Sequence, residues 1–266
     1  MSPIAVALVA CAVVALVCWL LGVLTRETSG VDRVWSIAPP LYVAWFAFGA
    51  GRTDTRLVVM TALAVLWGAR LTFNFARKGG YARGGEDYRW AELRKTMSPA
   101  AWQLFAFGFI AGFQNFLLLG LALPAWAAAR HAAPWGALDT LATALFVLFL
   151  VGETVADEQQ WRFQKDKKRR RAEGLPVTQE FLTTGLFRFS RHPNFFCELA
   201  QWWTFALFSV GAGAGWLNPS LAGAAVLTLL FHGSTGFTEA ITLRRYPTYA
   251  AYQARVSRLV PLPPRR

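Results

Sequence analysis

The sequence predicts an all-α, polytopic integral membrane protein with seven transmembrane helices, and three observations carry that expectation. Hydrophobic residues make up 55% of the 266-residue chain and charged residues only 16%, against about a quarter charged in an ordinary soluble domain. The apolar residues gather into stretches close to the roughly 20 residues that a helix needs to cross a hydrocarbon core. The basic residues collect in alternate loops, as expected where cytoplasmic loops are enriched in Lys and Arg.

The first stretch, 4–24, has no charged residue and no Lys or Arg before it. With further apolar stretches behind it, it reads as a span and not as a signal peptide. Further spans are expected near 34–50, 57–76, 101–123, 138–156, 197–216 and 219–238. Six basic residues lie between 77 and 95, nine between 157 and 196 and six after the last span, joined by Arg26 and Arg33. The opposite loops carry Arg52, Arg56 and Arg130, while Arg70 falls inside a span. This asymmetry puts the N-terminus outside and the C-terminus in the cytoplasm.

The formal charge of +12 follows from that topology and from attraction to anionic lipid headgroups, and does not argue for a nucleic-acid partner. Cys11 and Cys18 are seven apart on one helix face and Cys197 stands alone, so neither a disulfide framework nor a metal site is expected. The GAGAG run at 211–215 lacks the strand and spacing of a dinucleotide fingerprint and reads as a helix end and turn. There is no internal repeat, which favours one domain over 1–266 and counts against a transporter built from repeated halves.

Ionisable and amide groups inside spans are costly and mark places to look for function. Arg70, Asn74 and Arg77 share one face of the third span with Trp67; they either snorkel to headgroups or face a site. Gln114 and Asn115, in mid-span, fit interhelical hydrogen bonds or a ligand cavity equally well. In GVDRVWSIAPP, Asp32 and Trp35 lie near the membrane surface before a proline pair that disturbs the helix; Asp32 pairs with Arg33 or another loop cation, or faces a site. Glu153 and Asp157 end the fifth span on one face, next to an expected Glu158–Arg162 helix pair.

The densest constellation is GLFRFSRHPNFFCELAQWW at 185–203. A basic turn with Arg188, Ser190, Arg191 and His192 leads through Pro193 into a helix whose Asn194, Glu198 and Trp202 share a face. Guanidinium forks and a helix N-terminus suit a phosphate-bearing ligand. The last span brings Thr235 and Glu239 to one face, and Arg244, Tyr246, Tyr249 and Tyr252 come next in a short amphipathic tail whose tyrosines suit the membrane interface.

These last two segments, with RRYPTYAAYQ ending in LVP, resemble the C-terminal signature of the steroid 5α-reductase family, and specifically its bacterial relatives of the uncharacterised 1295 domain type. VDRVW, LWGARLTFNFARKGG and GEDYRW are also similar to that group. The resemblance implies a seven-span NADPH-dependent reductase of the carbon–carbon double bond of a lipidic enone, such as a 3-oxo-4-ene steroid, in a bacterial inner membrane with the cofactor site facing the cytoplasm. It implies substrate-side helices at about 1–123 and a cofactor-binding half at about 138–266. It places Arg70, Asn74, Asp157, Asn194, Glu198 and Glu239 around NADPH, with Arg188, Arg191, His192, Thr235, Arg244 and Tyr246 nearby. Asp32 becomes the candidate carbonyl-activating acid, and Trp67 stands where the family has a tyrosine; Trp35, Gln114 and Asn115 are candidates on the substrate side. Two rivals remain: an S-adenosylmethionine-dependent membrane methyltransferase of the isoprenylcysteine carboxyl methyltransferase type, and a non-enzymatic lipid-binding protein.

Overall fold

A computed structural model of the protein describes residues 1–49 and 54–265. Helix starts are set by short polar side chains that accept hydrogen bonds from the first unpaired N–H groups. Ser2 accepts from Ala5, Asp54 from Leu57, Asp87 from Arg89 and Ser98 from Ala101. Pro3 and Pro99 come directly after two of these caps, where a missing N–H costs nothing.

In chain order the helices begin with α1 (Pro3–Thr25), α2 (Gly30–Val34), α3 (Ala38–Gly49), α4 (Thr55–Arg77), α5 (Tyr88–Arg94) and α6 (Pro99–Phe105). After α6 the hydrogen-bond ladder widens to a π segment at Ala106–Phe113 and then returns to α geometry in α7 (Gln114–Arg130). The remainder is α8 (Ala137–Ala172), a 3₁₀ turn (Gly185–Arg188), α9 (Pro193–Ser209), α10 (Ala222–Arg245) and α11 (Tyr249–Arg255). No strand occurs among the described residues.

Five helical stretches are long and apolar enough to cross a membrane: Pro3–Thr25, Thr55–Arg77, Pro99–Arg130, Ala137–Ala172 and Pro219–Arg245. The other two expected spans take a different form. Segment 34–50 becomes the 12-residue α3, because the chain turns at 35–37 and the proline pair then sits in the first turn of α3; a helix of this length covers about 18 Å. Segment 197–216 is covered by the 17-residue α9 and a short π turn at Val210–Ala214, which ends on Gly213 and Gly215 with φ of 100° and 83°. Positive φ is strained for any residue with a side chain, so the GAGAG run is the helix end that its composition suggested. Arg52 and the end of segment 34–50 lie outside the described residues.

The chain forms two compact units, one of residues 1–144 with 203–226, the other of residues 145–202 with 227–266. In the first, α1 turns Ala7, Cys11, Ala15 and Cys18 inward and packs on α3 and α7, while α3 also packs on α4. The start of α10 meets α7 where Gly223 lies against Gly120; a Cβ on Gly223 would run into the Gly120 carbonyl. In the second, Gly152 of α8 leaves room for the Cys197 thiol of α9. Phe181 packs edge-on to Tyr249 at 4.9 Å and stacks on Tyr252 at 5.7 Å. Those tail tyrosines are therefore packed on protein, a different explanation for them from the interfacial belt that their composition suggested.

Arg56, expected in an outer loop, is buried at the start of α4. Its guanidinium grips Asp139 through Nε at 2.6 Å and Nη2 at 2.9 Å and donates to the carbonyls of Ala133, Pro134 and Gly211. Removing one partner of such a pair strands a buried charge, a loss of about 3–5 kcal/mol. Arg56→Met is expected to lower stability by that amount and Asp139→Asn by less, since the amide still offers an acceptor; thermal unfolding in detergent compares them.

Candidate functional site

In the second unit α8 and α9 run past each other along a seam of acids and amides. Glu153 and Asp157, one turn apart on α8, are 2% and 4% exposed. Gln201 donates its amide to Glu153 at 2.6 Å and to the Cys197 carbonyl at 3.2 Å, and Asn194 donates to Asp157 at 3.3 Å. Glu198 is buried on the same face of α9, between Asn194 and Gln201. Two turns of α9 thus place two amides on two carboxylates, which fits their heptad-like spacing. Two residues after Asp157 on α8, Gln159 accepts a hydrogen bond from the Leu186 N–H and fixes the start of the basic turn.

That turn is held from the other side by Glu239 of α10. Arg191 places Nε and Nη2 on the two carboxylate oxygens at 2.7 and 2.9 Å, His192 Nε2 lies 2.9 Å from Oε1, and Gln253 donates to Oε2 at 2.9 Å. The remaining Arg191 donors go to the carbonyls of Gln253 and Val256. The backbone reinforces this: Arg191 N–H donates to Ser257 and His192 N–H to Arg258. Three residues expected to touch a cofactor, Arg191, His192 and Glu239, are brought together and bonded to one another. Arg188 and Arg244 remain exposed. Thr235 is buried and donates to the Phe231 carbonyl within α10.

Tyr246 closes this end. Buried Lys167 lies 4.8 Å over its ring and 3.3 Å from its hydroxyl, and pairs with Glu180 at 2.9 Å. Burial alone would raise the Tyr246 phenol, but hydrogen bonds from Arg171 and Lys167 outweigh it and lower its pKa. The expected Glu158–Arg162 pair is present at 2.7 Å.

In the first unit the segment before α3 is latched by the GEDYRW loop. Glu86 accepts from the Thr28 N–H at 2.7 Å and its hydroxyl at 2.6 Å, and from Arg94 at 2.9 Å. Asp87 takes its own N–H to the Ser29 hydroxyl and pairs with Arg89. Arg33 goes to Glu27. Asp32 therefore has Trp90, which donates Nε1–H to Oδ2 at 3.0 Å, where the sequence offered Arg33 as a partner. Burial raises the Asp32 carboxyl above the usual carboxylate range, against the lowering effect of the Ser29 and Trp90 hydrogen bonds.

The other expected residues of this unit are dispersed. Trp67 is fully buried in α4, Asn74 is buried and accepts from Arg77 Nε at 3.0 Å, and Arg70 is half-buried on that helix. Gln114 and Asn115 are buried at the start of α7, where Asn115 donates back to the Ala111 carbonyl at 2.7 Å. Trp35 is half-buried just after α2. Sequence reasoning passed over Trp90, Gln201, Gln253, Lys167 and the Arg56–Asp139 pair. Gln201, seven residues after Asn194 within an expected span, carried a readable signal; Lys167 and Gln253, in polar stretches, carried none.

The Asp32 geometry has a pH consequence. A raised native pKa means that the folded protein keeps a proton which the unfolded chain has already lost, so this group's contribution to stability falls as pH rises from the ordinary carboxylate range through the raised value. Asp32→Asn cannot ionise. The difference in Tm between this variant and the unaltered protein should widen in favour of the variant as pH rises above the ordinary carboxylate range, and parallel curves would contradict it.

Residues 18–256 match the family described as Protein of unknown function (DUF1295). An uncharacterized protein of Schizosaccharomyces pombe is 38% identical over 275 residues, covering 98% of this chain and 80% of its own length. No solved structure matches. The chain belongs to the DUF1295 family.

Proposed function

We propose that the protein is an NADPH-dependent reductase of the carbon–carbon double bond of a lipidic enone, with a 3-oxo-4-ene steroid as the substrate class nearest to the family resemblance. The observation that carries the reading is the α8–α9 seam. Buried carboxylates and amides stand next to a basic turn and a helix start, a donor set that suits the hydroxyl, amide and phosphate groups of a dinucleotide. In this reading the chain crosses the membrane seven times, N-terminus outside, with this end in the cytoplasm of a bacterial inner-membrane protein, as its basic loops indicate.

NADPH would be held by Asp157, Asn194 and Glu198, with the exposed Arg188 and Arg244 for its phosphates and Tyr246 near them; Arg70 and Asn74 are further candidates by the family resemblance alone. Arg191, His192 and Glu239 shape the turn through their mutual bonds, and Thr235 is buried on α10. NADPH, if bound there, would supply the hydride for the enone β-carbon. Charge building on the ketone oxygen would be met by Asp32, whose protonated form desolvation favours and whose Oδ2 the Trp90 N–H holds in place. Trp67 cannot replace the family tyrosine as a proton donor, because an indole N–H donates a hydrogen bond but is not an acid in this range. Trp35, Gln114 and Asn115 are the substrate-side candidates of this reading.

Anaerobic NADPH oxidation by detergent-purified protein with a 3-oxo-4-ene steroid tests the proposal. Reduced product should form, with NADH a poorer donor. Glu198→Ala should raise the Kd for NADPH, whereas Asp32→Ala should leave that Kd alone and lower kcat by about 10²–10³, the value of one preorganised donor. The methyltransferase reading draws on the same acids, which would also suit a cationic cofactor. Thermal stabilisation by S-adenosylmethionine and not by NADPH, without turnover, would replace the reductase with it; stabilisation by neither would favour a non-enzymatic lipid-binding protein.

A further inference from the structure

A cavity of about 310 Å³ lies in the first unit, between the C-terminal end of α1, the segment leading into α2, the end of α5 and the α6–π stretch. That volume is at the lower end of the range for ligand pockets. Its walls are largely apolar, with Val23, Trp102 and Ile110 among them. The polar exceptions are Arg26, Thr28, Arg94 and Gln103, with the Trp19 indole N–H. Trp19 Nε1 and Arg94 Nε are both buried and have no hydrogen-bond acceptor among the described residues. A buried, unmet donor is destabilising, so two among the residues of one cavity mark a place where an acceptor is to be supplied.

Arg94 is also fixed in direction. Glu86 holds its Nη2 at 2.9 Å and its guanidinium carbon stands 4.8 Å over the Trp102 ring, which leaves the Nε edge as the free donor. Glu86 offsets one cation, but the cavity has a second, the exposed Arg26, whose φ of 60° turns the chain where α1 ends. An acceptor placed here therefore meets two N–H donors and an excess of positive charge, with apolar walls behind it.

We propose that this cavity binds a long-chain carboxylate, its head on Trp19 Nε1 and Arg94 Nε near Arg26 and its chain along Val23, Trp102 and Ile110. The inference stands on the cavity and its donors and does not depend on the reductase reading.

Binding of radiolabelled oleate to the detergent-purified full chain provides the test, with oleate and oleyl alcohol as competitors. Saturable binding is expected, with the alcohol at least about tenfold the weaker competitor, since it lacks the charge and one acceptor. Trp19→Phe removes only the N–H with its ring edge and should weaken oleate binding by about tenfold. Val23→Trp, at a side chain 44% exposed, should obstruct the cavity without disturbing the core and reduce binding further. Equal competition by the alcohol, or unchanged affinity in either variant, overturns the proposal. NADPH binding measured on the same samples separates this outcome from failure of the reductase reading.

Discussion

The basic end of the second unit depends on one carboxylate. Glu239 sits 5% exposed near the end of α10, where an unpaired charge would be too costly to keep. It is satisfied by Arg191 in a bidentate pair, by His192 and by Gln253. These partners come from stretches that share no local helix with it, so one buried charge ties the basic turn, α10 and the tail into a single arrangement. The backbone bonds from Arg191 and His192 to Ser257 and Arg258, and from Leu262 to Phe189, extend the tie. The Asn194–Glu198 face inherits its position from that turn, because Pro193 starts α9 directly after it.

The first unit uses the same principle twice. Arg56 and Asp139 satisfy each other in the interior, and Arg56 uses its spare donors on carbonyls at a helix end. Asp32 shows the opposite outcome: with Arg33 taken by Glu27 and Arg89 by Asp87, it keeps two neutral donors and no direct ion pair among the hydrogen-bonded contacts described. A carboxyl in that state is inclined to hold its proton. Acidic residues thus become structural anchors or proton carriers according to which cations their neighbours have already claimed.

Much of this was legible in the residues. Apolar runs with basic loops gave the helical membrane class, and the intervals of four between Asn194, Glu198 and Trp202 put them on one face of α9. Cys11 and Cys18, seven apart on one helix face, are both buried. What sequence periodicity could not show is which polar group closes on which. Arg191, His192 and Glu239 each looked like ligand-binding groups, yet they bond to one another across 47 or 48 residues. Arg56 looked like a loop cation because its partner is 83 residues away. Two of the expected spans are not among the five long apolar helices for a related reason: hydropathy averages over the turn at 35–37 and the glycine break after Ser209, where backbone geometry, not polarity, interrupts the helix.

The π segment at Ala106–Phe113 also bears on how this family can vary. A wide turn is a place where a helix carries more residues than its rise requires, and each surplus residue rotates the helix on its N-terminal side by about 100° relative to the helix on its C-terminal side. The wall that α6 and this segment give to the cavity is therefore phased separately from the buried face of α7 that begins at Gln114 and Asn115. Among relatives, a one-residue insertion or deletion confined to 106–113 would re-aim the cavity wall while the α7 packing against α1 and α3 stays in register. Alignment gaps at this point should accordingly track differences in what the cavity holds more than differences in fold.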